Sequence, residues 1–313
     1  MDTISDILDT LKFKGCIYFT TDFSAPWGIR VPDFKRVVRF HIVTSGQCWV
    51  KIAGHSEGTT LSPGDIIVIP HGAAHTLSDK AESPVLPLDD AIEVSGYQGT
   101  GVFKFGGDEQ LNNVELICGH FEFDQNFRHA LIEQLPDLIV VKNNEAMKYP
   151  WLGDSIRSLS YETQVKRIGN DAVIKRLSEI IFIHAIRAWS ERTEQTEGFL
   201  LAVSDQKLGK SLQAFHADPA RRWTLNELAV EAGLSRTVFA QRFKDVAGMP
   251  AMQYVTEWRA QQSQKLLLES SRSVEEIAEI VGYDSLAAFS RMFKKLFGIG
   301  PGMFRRRGKE DKS

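Results

Sequence analysis

LNELAVEAGLSRTVFAQRF at 225–243 and VEEIAEIVGYDSLAAFSRMF at 274–293 carry one pattern twice. In the first copy, Leu225-Asn226-Glu227-Leu228-Ala229 opens a helix, Gly233 and Leu234 make a tight turn, and Ser235 stands where an N-cap belongs. An amphipathic run follows with Phe239 and Phe243 one helical turn apart. In the second, Val274-Glu275-Glu276-Ile277-Ala278 opens the helix, Gly282 and Tyr283 turn, Asp284 or Ser285 caps, and Phe289 and Phe293 repeat the spacing. The pattern has a mechanical reason. A small residue four before the glycine lets two helices approach closely, and glycine tolerates the positive φ of the turn. The capped second helix then projects its outer face, as in a helix-turn-helix that reads a major groove.

The internal repeat extends beyond the turns. Phe243-Lys244 with Gly248-Met249-Pro250 parallels Phe293-Lys294 with Gly298-Ile299-Gly300-Pro301, and Trp258-Arg259 parallels Phe304-Arg305. One such helix pair is a weak signal, because many helix pairs mimic it. Two in register are a strong one.

On these residues the last third of the chain resembles the AraC/XylS family of transcription regulators. The second copy carries the family signature as Ala278, Gly282, Tyr283, Ser285, Phe289, Arg291, Phe293, Lys294, Lys295, Gly298, Pro301, Phe304 and Arg305. Gly300 departs from it, since the family usually has Ser or Thr before the proline. The resemblance implies an all-α domain that binds double-stranded DNA at promoters.

The chain of 313 residues fits two domains, and a hydrophobic content of 43% with 25% charged residues describes a protein with ordinary cores. The longest compact apolar stretch, around Ile180-Ile181-Phe182-Ile183, is far too short to span a membrane. The N-terminus, Met1-Asp2-Thr3-Ile4-Ser5-Asp6, shows no basic region followed by an apolar core, so no secretion signal is expected. Three cysteines, sparse and odd in number, point away from a disulfide framework and toward a reducing cytosol, so a cytoplasmic location is expected. The net charge of −3 divides unevenly. Residues 203–313 hold 18 Lys and Arg against 13 Asp and Glu, whereas the rest hold 19 against 27. A basic module joined to an acidic one suits nucleic-acid binding by the former.

Residues 1 to about 145 read as β-rich. Val37–Val43, Gln47–Ile52 and Asp65–Ile69 are strand candidates, separated by Ser45-Gly46, Ala53-Gly54-His55 and Pro63-Gly64. Short strands with frequent Gly and Pro predict a small antiparallel barrel. Gly64, Pro70, Gly72 and His75 resemble the second cupin motif. The first, with paired histidines and a glutamate, is not clearly present. A cupin-like sensor ahead of an AraC-type module is an arrangement found within that family, and the resemblance implies a sensing domain.

Two turn histidines, His71 and His75, and a strand pair, Cys118 and His120, form a candidate Zn²⁺ site. Residues two apart on a strand share a face, and four N/S donors suit tetrahedral zinc. The competing reading is two surface-turn histidines, a buried thiol and a core histidine. Cys16 and Cys48 read as buried small hydrophobes, and His41, His55, His129, His184 and His216 as isolated. For a small-molecule effector, Arg39 is the candidate anion receptor and Trp49 and Phe121 candidate lining residues, with Phe40, Phe103 and Phe105 beside them. Aromatic core filling is the alternative.

Beyond this, Phe127–Val141 turns helical and then extended, and a helical period begins at Trp151 with Leu152, Ile156 and Leu159 on one face. A helix from Asp171 to about Ser190 carries a broad stripe of Val173, Ile174, Leu177, Ile180, Ile181, Ala185 and Ile186. The stripe suits either packing within the chain or a homodimer. Polar Glu191–Glu197 reads as a linker. The expected architecture is α+β: a cupin-like domain at 1–145, a helical linking and dimerisation region at 146–203, and a double helix-turn-helix domain at 204–313.

Groove-facing positions cluster at the start of each recognition helix. They are Arg236, Thr237, Ala240 and Gln241 in the first unit, and Leu286, Ala287, Ala288, Ser290 and Arg291 in the second, with Lys294 as a phosphate contact. Gln241 suits adenine and Arg236 guanine or phosphate, while the second unit suits thymine-methyl contact and anchoring. The expected function is a DNA-binding transcription regulator whose cupin-like domain senses a small molecule or metal, dimerises, or both. The alternative is a metal-dependent cupin enzyme, disfavoured by the missing first motif and the lack of a paired acid and base.

Overall fold

Alternation and helical period both become elements in the computed structural model, which describes residues 2–11, 14–35, 37–107, 109–123, 129–143, 149–165, 167–192 and 198–310. The contacts divide the chain into two units. One comprises 13–123 and 135–194, and the other 1–12, 124–134 and 195–313.

The first unit holds the strands β1 (Lys14–Ala25), β2 (Gly28–Val31), β3 (Val38–Ser45), β4 (Cys48–Ile52), β5 (Thr59–Leu61), β6 (Ile66–Ile69), β7 (His75–Ser78), β8 (Leu86–Pro87), β9 (Val102–Gly106), β10 (Glu109–Glu122) and β11 (Ile139–Val141). They form a six-stranded sheet in the order β11-β6-β3-β10-β1-β9 and a five-stranded one in the order β5-β4-β7-β2-β8. The expected small antiparallel barrel needs correcting in two respects. No ladder joins the sheets into a closed ring among the described residues, and β1 with β9 and β2 with β8 pair in parallel. The core lies between the sheets. Phe23, Val43, Ile67, Phe103, Leu116 and Cys118 of one sheet meet Ile29, Cys48, Val50, Leu61 and Leu77 of the other.

The outer face of the six-stranded sheet takes a helix pair, α4 (Pro150–Gln164) and α5 (Asn170–Arg192). These helices, expected as a linking region, pack within the β-rich unit. Phe121 stacks on Phe40 at 4.7 Å and meets Phe182 of α5 at 4.7 Å. Gly119 makes room for this, because a Cβ there would lie 2.3 Å from the Phe40 ring. The stripe on α5 splits along its length. Ile181, Phe182, Ala185 and Ile186 are buried, while Val173 and Ile180 are each 41% exposed.

The second unit is helical. It contains α1 (Thr3–Thr10), α3 (Ala130–Glu133), α6 (Phe199–Ser204), α7 (Leu208–Ala217), α8 (Leu225–Glu231), α9 (Arg236–Ala247), α10 (Ala251–Glu269), α11 (Val274–Ile280), α12 (Leu286–Phe297) and α13 (Pro301–Glu310). The remaining helix, α2 (Leu88–Ser95), belongs to the β-rich unit. The sequence repeat is a structural repeat. Thr224 and Ser273 each close a capping box at the first helix, and Ser235 and Ser285 cap the second. The cap left open between Asp284 and Ser285 is therefore Ser285. Gly233 and Gly282 take φ of 62° and 83°. Phe239, Phe243, Phe289 and Phe293 fill the two small cores.

Segments that the sequence placed with the barrel also belong to this unit. Asp6 of α1 accepts from His216 Nδ1 of α7 at 2.6 Å, and His216 Nε2 lies 2.6 Å from the Tyr254 hydroxyl. His129 Nε2 lies 3.4 Å from the same hydroxyl, and Gln134 donates to Ala247 O. His129 and His216, read as isolated, are thus joined through Tyr254. Residues 193–197 of the expected linker, and Phe127, lie outside the described residues.

Candidate nucleic-acid interface and cupin-domain site

The caps at Ser235 and Ser285 start the second helix of each unit, and the inward phenylalanines fix which face looks outward. On α9, Phe239 and Phe243 point into the core, so Arg236, Thr237 and Gln241 are exposed and Ala240 is half-buried. These four residues line a single groove of about 530 Å³ with Leu225, Lys244, Pro250, Ala251 and Met252. Gln241 Nε2 donates to Asp245 Oδ1 at 2.7 Å, one helical turn on. That bond orients the amide and leaves its oxygen and second N–H outward. On α12, Leu286, Ala287, Arg291 and Lys294 are exposed, and Ala288 and Ser290 half-buried. Lys294 and Lys295 occupy its last turn before the left-handed Gly298 cap. The outer face of α9 is thus polar and that of α12 mainly small and apolar, with its cations displaced toward the C-terminus.

The four-donor metal set expected from sequence does not assemble. Gly72, at φ 66°, turns the chain between the two histidines. His71 Nε2 donates to Leu135 O at 2.8 Å, whereas His75 enters the core on β7. Cys118 and His120 share a strand face but sit about 7 Å apart along it. The former is paired with His41 and the latter with Arg39 in the register of β10 and β3. His120 instead meets Glu122 at 3.1 Å near the surface. Among the described residues no group of three or more His, Cys, Asp or Glu is arranged to hold a metal ion.

What the fold does bring together is His75, His41 and Cys118. His41 Nε2 lies 2.8 Å from His75 Nε2, and His41 Nδ1 lies 3.0 Å from Cys118 Sγ. His75 Nδ1 lies 2.8 Å from Ala73 O. A carbonyl only accepts, so His75 Nδ1 carries a proton and its Nε2 is the acceptor. His41 must then donate from Nε2 and accept at Nδ1, which leaves the Cys118 thiol as the donor. Burial holds His41 well below the usual imidazole range and His75 at about 4, and it pushes the Cys118 thiol far up. The three groups therefore form a neutral hydrogen-bonded chain. His41, read as isolated, is its centre. The missed signal was the strand: β3 runs beside both β10 and β6, so its inward histidine was placed to meet donors from elsewhere.

Of the effector candidates, Phe103 borders the interior, and so does Arg39. Arg39 is 6% exposed, its Cζ lies 3.7 Å from the Phe34 ring centroid, and it lines a cavity of about 20 Å³ with His41, Cys118, Thr21, Phe19 and Leu88. Trp49 and Phe121 do not line it. Cys48, Val50 and Ile52 point inward, so Trp49 between them points out. Phe121 lies on the sheet face that packs on α5. Cys16, read as buried, is exposed.

A family profile described as Cupin matches residues 2–191, and one described as Helix-turn-helix domain matches residues 228–307. A putative AraC-like transcription regulator of Streptomyces antibioticus is 30% identical over 310 residues, covering 98% of this chain and 99% of that protein. Its counterpart from Streptomyces lividans is 29% identical over 309 residues, 98% of each chain. The HTH-type transcriptional regulator AlkR of Acinetobacter baylyi is 26% identical over 306 residues, covering 97% and 99%. No described helix is long and apolar enough to cross a membrane. With a cupin profile ahead of a helix-turn-helix profile, and AraC-like regulators matched over nearly the whole of both chains, the chain belongs to the AraC-like, DNA-binding transcription regulators.

Proposed function

We propose that the protein is a sequence-specific regulator that lays both recognition helices into successive major grooves on one face of the duplex, and that its cupin domain senses a small molecule and pairs subunits. The observation that carries the DNA part is the single groove shared by Arg236, Thr237, Ala240 and Gln241. In this reading α9 supplies most of the hydrogen-bonded readout. Leu286 and Ala287 of α12 touch thymine methyls, and Arg291 and Lys294 hold phosphates. Hydroxyl-radical footprinting of the full chain on the DNA upstream of its own gene tests this. Two protected segments about one helical turn apart are expected. One segment, or protection indifferent to salt, would count against it.

The sensing part is supported by the cavity, which sets one cationic and several polar groups against apolar walls. At about 20 Å³ it has room for about one water, so an organic effector enters by displacing lining side chains. Calorimetric titration of Arg39→Met against wild type, using small organic acids as probes, tests the role of the guanidinium. Pairing is supported by Val173 and Ile180 on α5, with Tyr161 of α4 and Ile168 between the helices, all exposed apolar residues. Sedimentation at micromolar concentration as a monomer, with and without DNA, would count against it.

A further inference from the structure

Arg259 sits on α10, between the two helix-turn-helix units, and is 8% exposed. Its guanidinium donates in three directions. Nε reaches Pro219 O at 2.9 Å and Nη2 reaches Arg221 O at 2.6 Å, both on the loop that leads into the first unit. Nη1 reaches Gly282 O at 3.2 Å, in the turn of the second unit. One planar fork therefore holds the entrance of one unit against the turn of the other. The Tyr283 ring centroid stands 5.8 Å from its Cζ.

The approach is as close as the backbone allows. A Cβ on Gly282 would lie 2.4 Å from Ala220 O and 2.8 Å from Arg259 Nη2. Outside it, Arg222 meets Asp284 at 2.5 Å, but both side chains are more than half exposed, and such pairs contribute little. The buried fork is different. Its charge is satisfied by carbonyls that are fixed in direction, and charge-assisted bonds of this kind are the strong ones. Lysine, a point charge without a fork, cannot span the three acceptors. The counterpart in the sequence repeat, Arg305, donates to Leu267 O at the end of α10 and so makes no equivalent bridge from its end.

We propose that Arg259 is a positioning residue that fixes the separation and twist of the two recognition helices, and so restricts the protein to DNA sites whose two parts have one spacing. This rests on the reading that both units contact DNA. Base readout and phosphate contact would remain with the outward residues of α9 and α12, and Arg259 itself would touch no DNA.

The test uses the full chain and a duplex selected by the wild-type protein from a random pool, with derivatives carrying one to several extra base pairs between the protected segments. Wild type should lose about tenfold or more in affinity on insertion, in the usual range of coupling between sites. Arg259→Lys, with helicity unchanged, should bind the parent duplex about tenfold more weakly. It should also bind the inserted duplexes almost as well as the parent, and lose the segment under the second unit first. A folded variant with the wild-type spacing profile would overturn the proposal. If the lysine variant loses helicity, Arg259→Gln, which keeps a donor without the fork, takes its place. Loss of helicity in both would show that the residue maintains the fold and sets no spacing, which also overturns the proposal. A single protected segment with wild type would instead overturn the two-unit reading beneath it.

Discussion

His41 Nε2 and His75 Nε2 lie 2.8 Å apart inside the cupin domain, and both rings are buried. Burial lowers the pKa of both; His75 and Arg39 add to this at His41, while at His75 burial outweighs the raising hydrogen bond to Ala73 O and Arg39 adds to it, giving about 4 against an ordinary 6.5. Between those values the unfolded chain binds more protons than the folded one, so stability is full above about pH 6.5 and falls as the pH drops toward 4. His75 alone accounts for a loss on the order of 3 kcal/mol across that window. Thermal melts in pH steps should show the fall. A melting temperature that does not change there would mean the pair is not held neutral.

Cys118 and Cys16 should differ sharply toward alkylation. The Cys118 thiol is buried, donates toward His41 and has its pKa pushed far up by desolvation, so little thiolate forms. Cys48, also buried, is raised to about 12. Cys16 is exposed. Brief iodoacetamide treatment followed by mass spectrometry should find the native protein modified at Cys16 and all three cysteines modified after denaturation. Early labelling of Cys118 would contradict the neutral chain.

Gln241→Ala should relax base preference at one position, at a cost of about 1–3 kcal/mol for a lost bidentate contact. Asp245 orients the Gln241 amide at 2.7 Å, so Asp245→Ala should relax the same position by a smaller amount. Lys294→Ala should weaken all sequences alike and reduce the salt slope by about 1. Binding titrations over a panel of single-base variants at several salt concentrations separate the three outcomes.

Thr224 and Ser273 close the capping boxes of the two units. Replacing either with alanine should cost about 1 kcal/mol, measured by urea unfolding. The inward rings cost more: Phe239 and Phe289 are fully buried, and truncation of either to alanine should cost about 3–5 kcal/mol. Equal costs for cap and core variants would argue against the packing described.

Gly72→Ala should be among the most damaging single-methyl additions in the cupin domain. Gly72 has φ 66°, and a Cβ there would lie 2.2 Å from Phe34 O and 2.6 Å from Val37 O. Both neighbours are backbone, so the turn itself must shift, at a cost well above about 1 kcal/mol. A melting temperature within error of wild type would refute the close approach.

Much of the molecule was legible because its signals are local. Turn glycines, serine caps and phenylalanines one helical turn apart fix the helix-turn-helix units within about twenty residues each, and the repeat confirmed the phase. Outward positions on α9 and α12 followed from the inward ones by helical geometry alone. Strand positions were legible for the same reason, and the α+β class with them. The interior of the cupin domain was decided by pairing over long separations. Cys118 meets His41, 77 residues away, and His75 joins them from a third strand. No spacing along the chain states which strands become neighbours or in what register. Parity settled the rest: on alternating strands Trp49 and Phe121 turned away from the interior that composition had offered them. The joint between the two helix-turn-helix units was equally hidden, because the acceptors of Arg259 are backbone carbonyls, and carbonyls have no letter in a sequence. Local geometry set each element and its faces, while the tertiary structure alone chose which buried donors and acceptors would face one another.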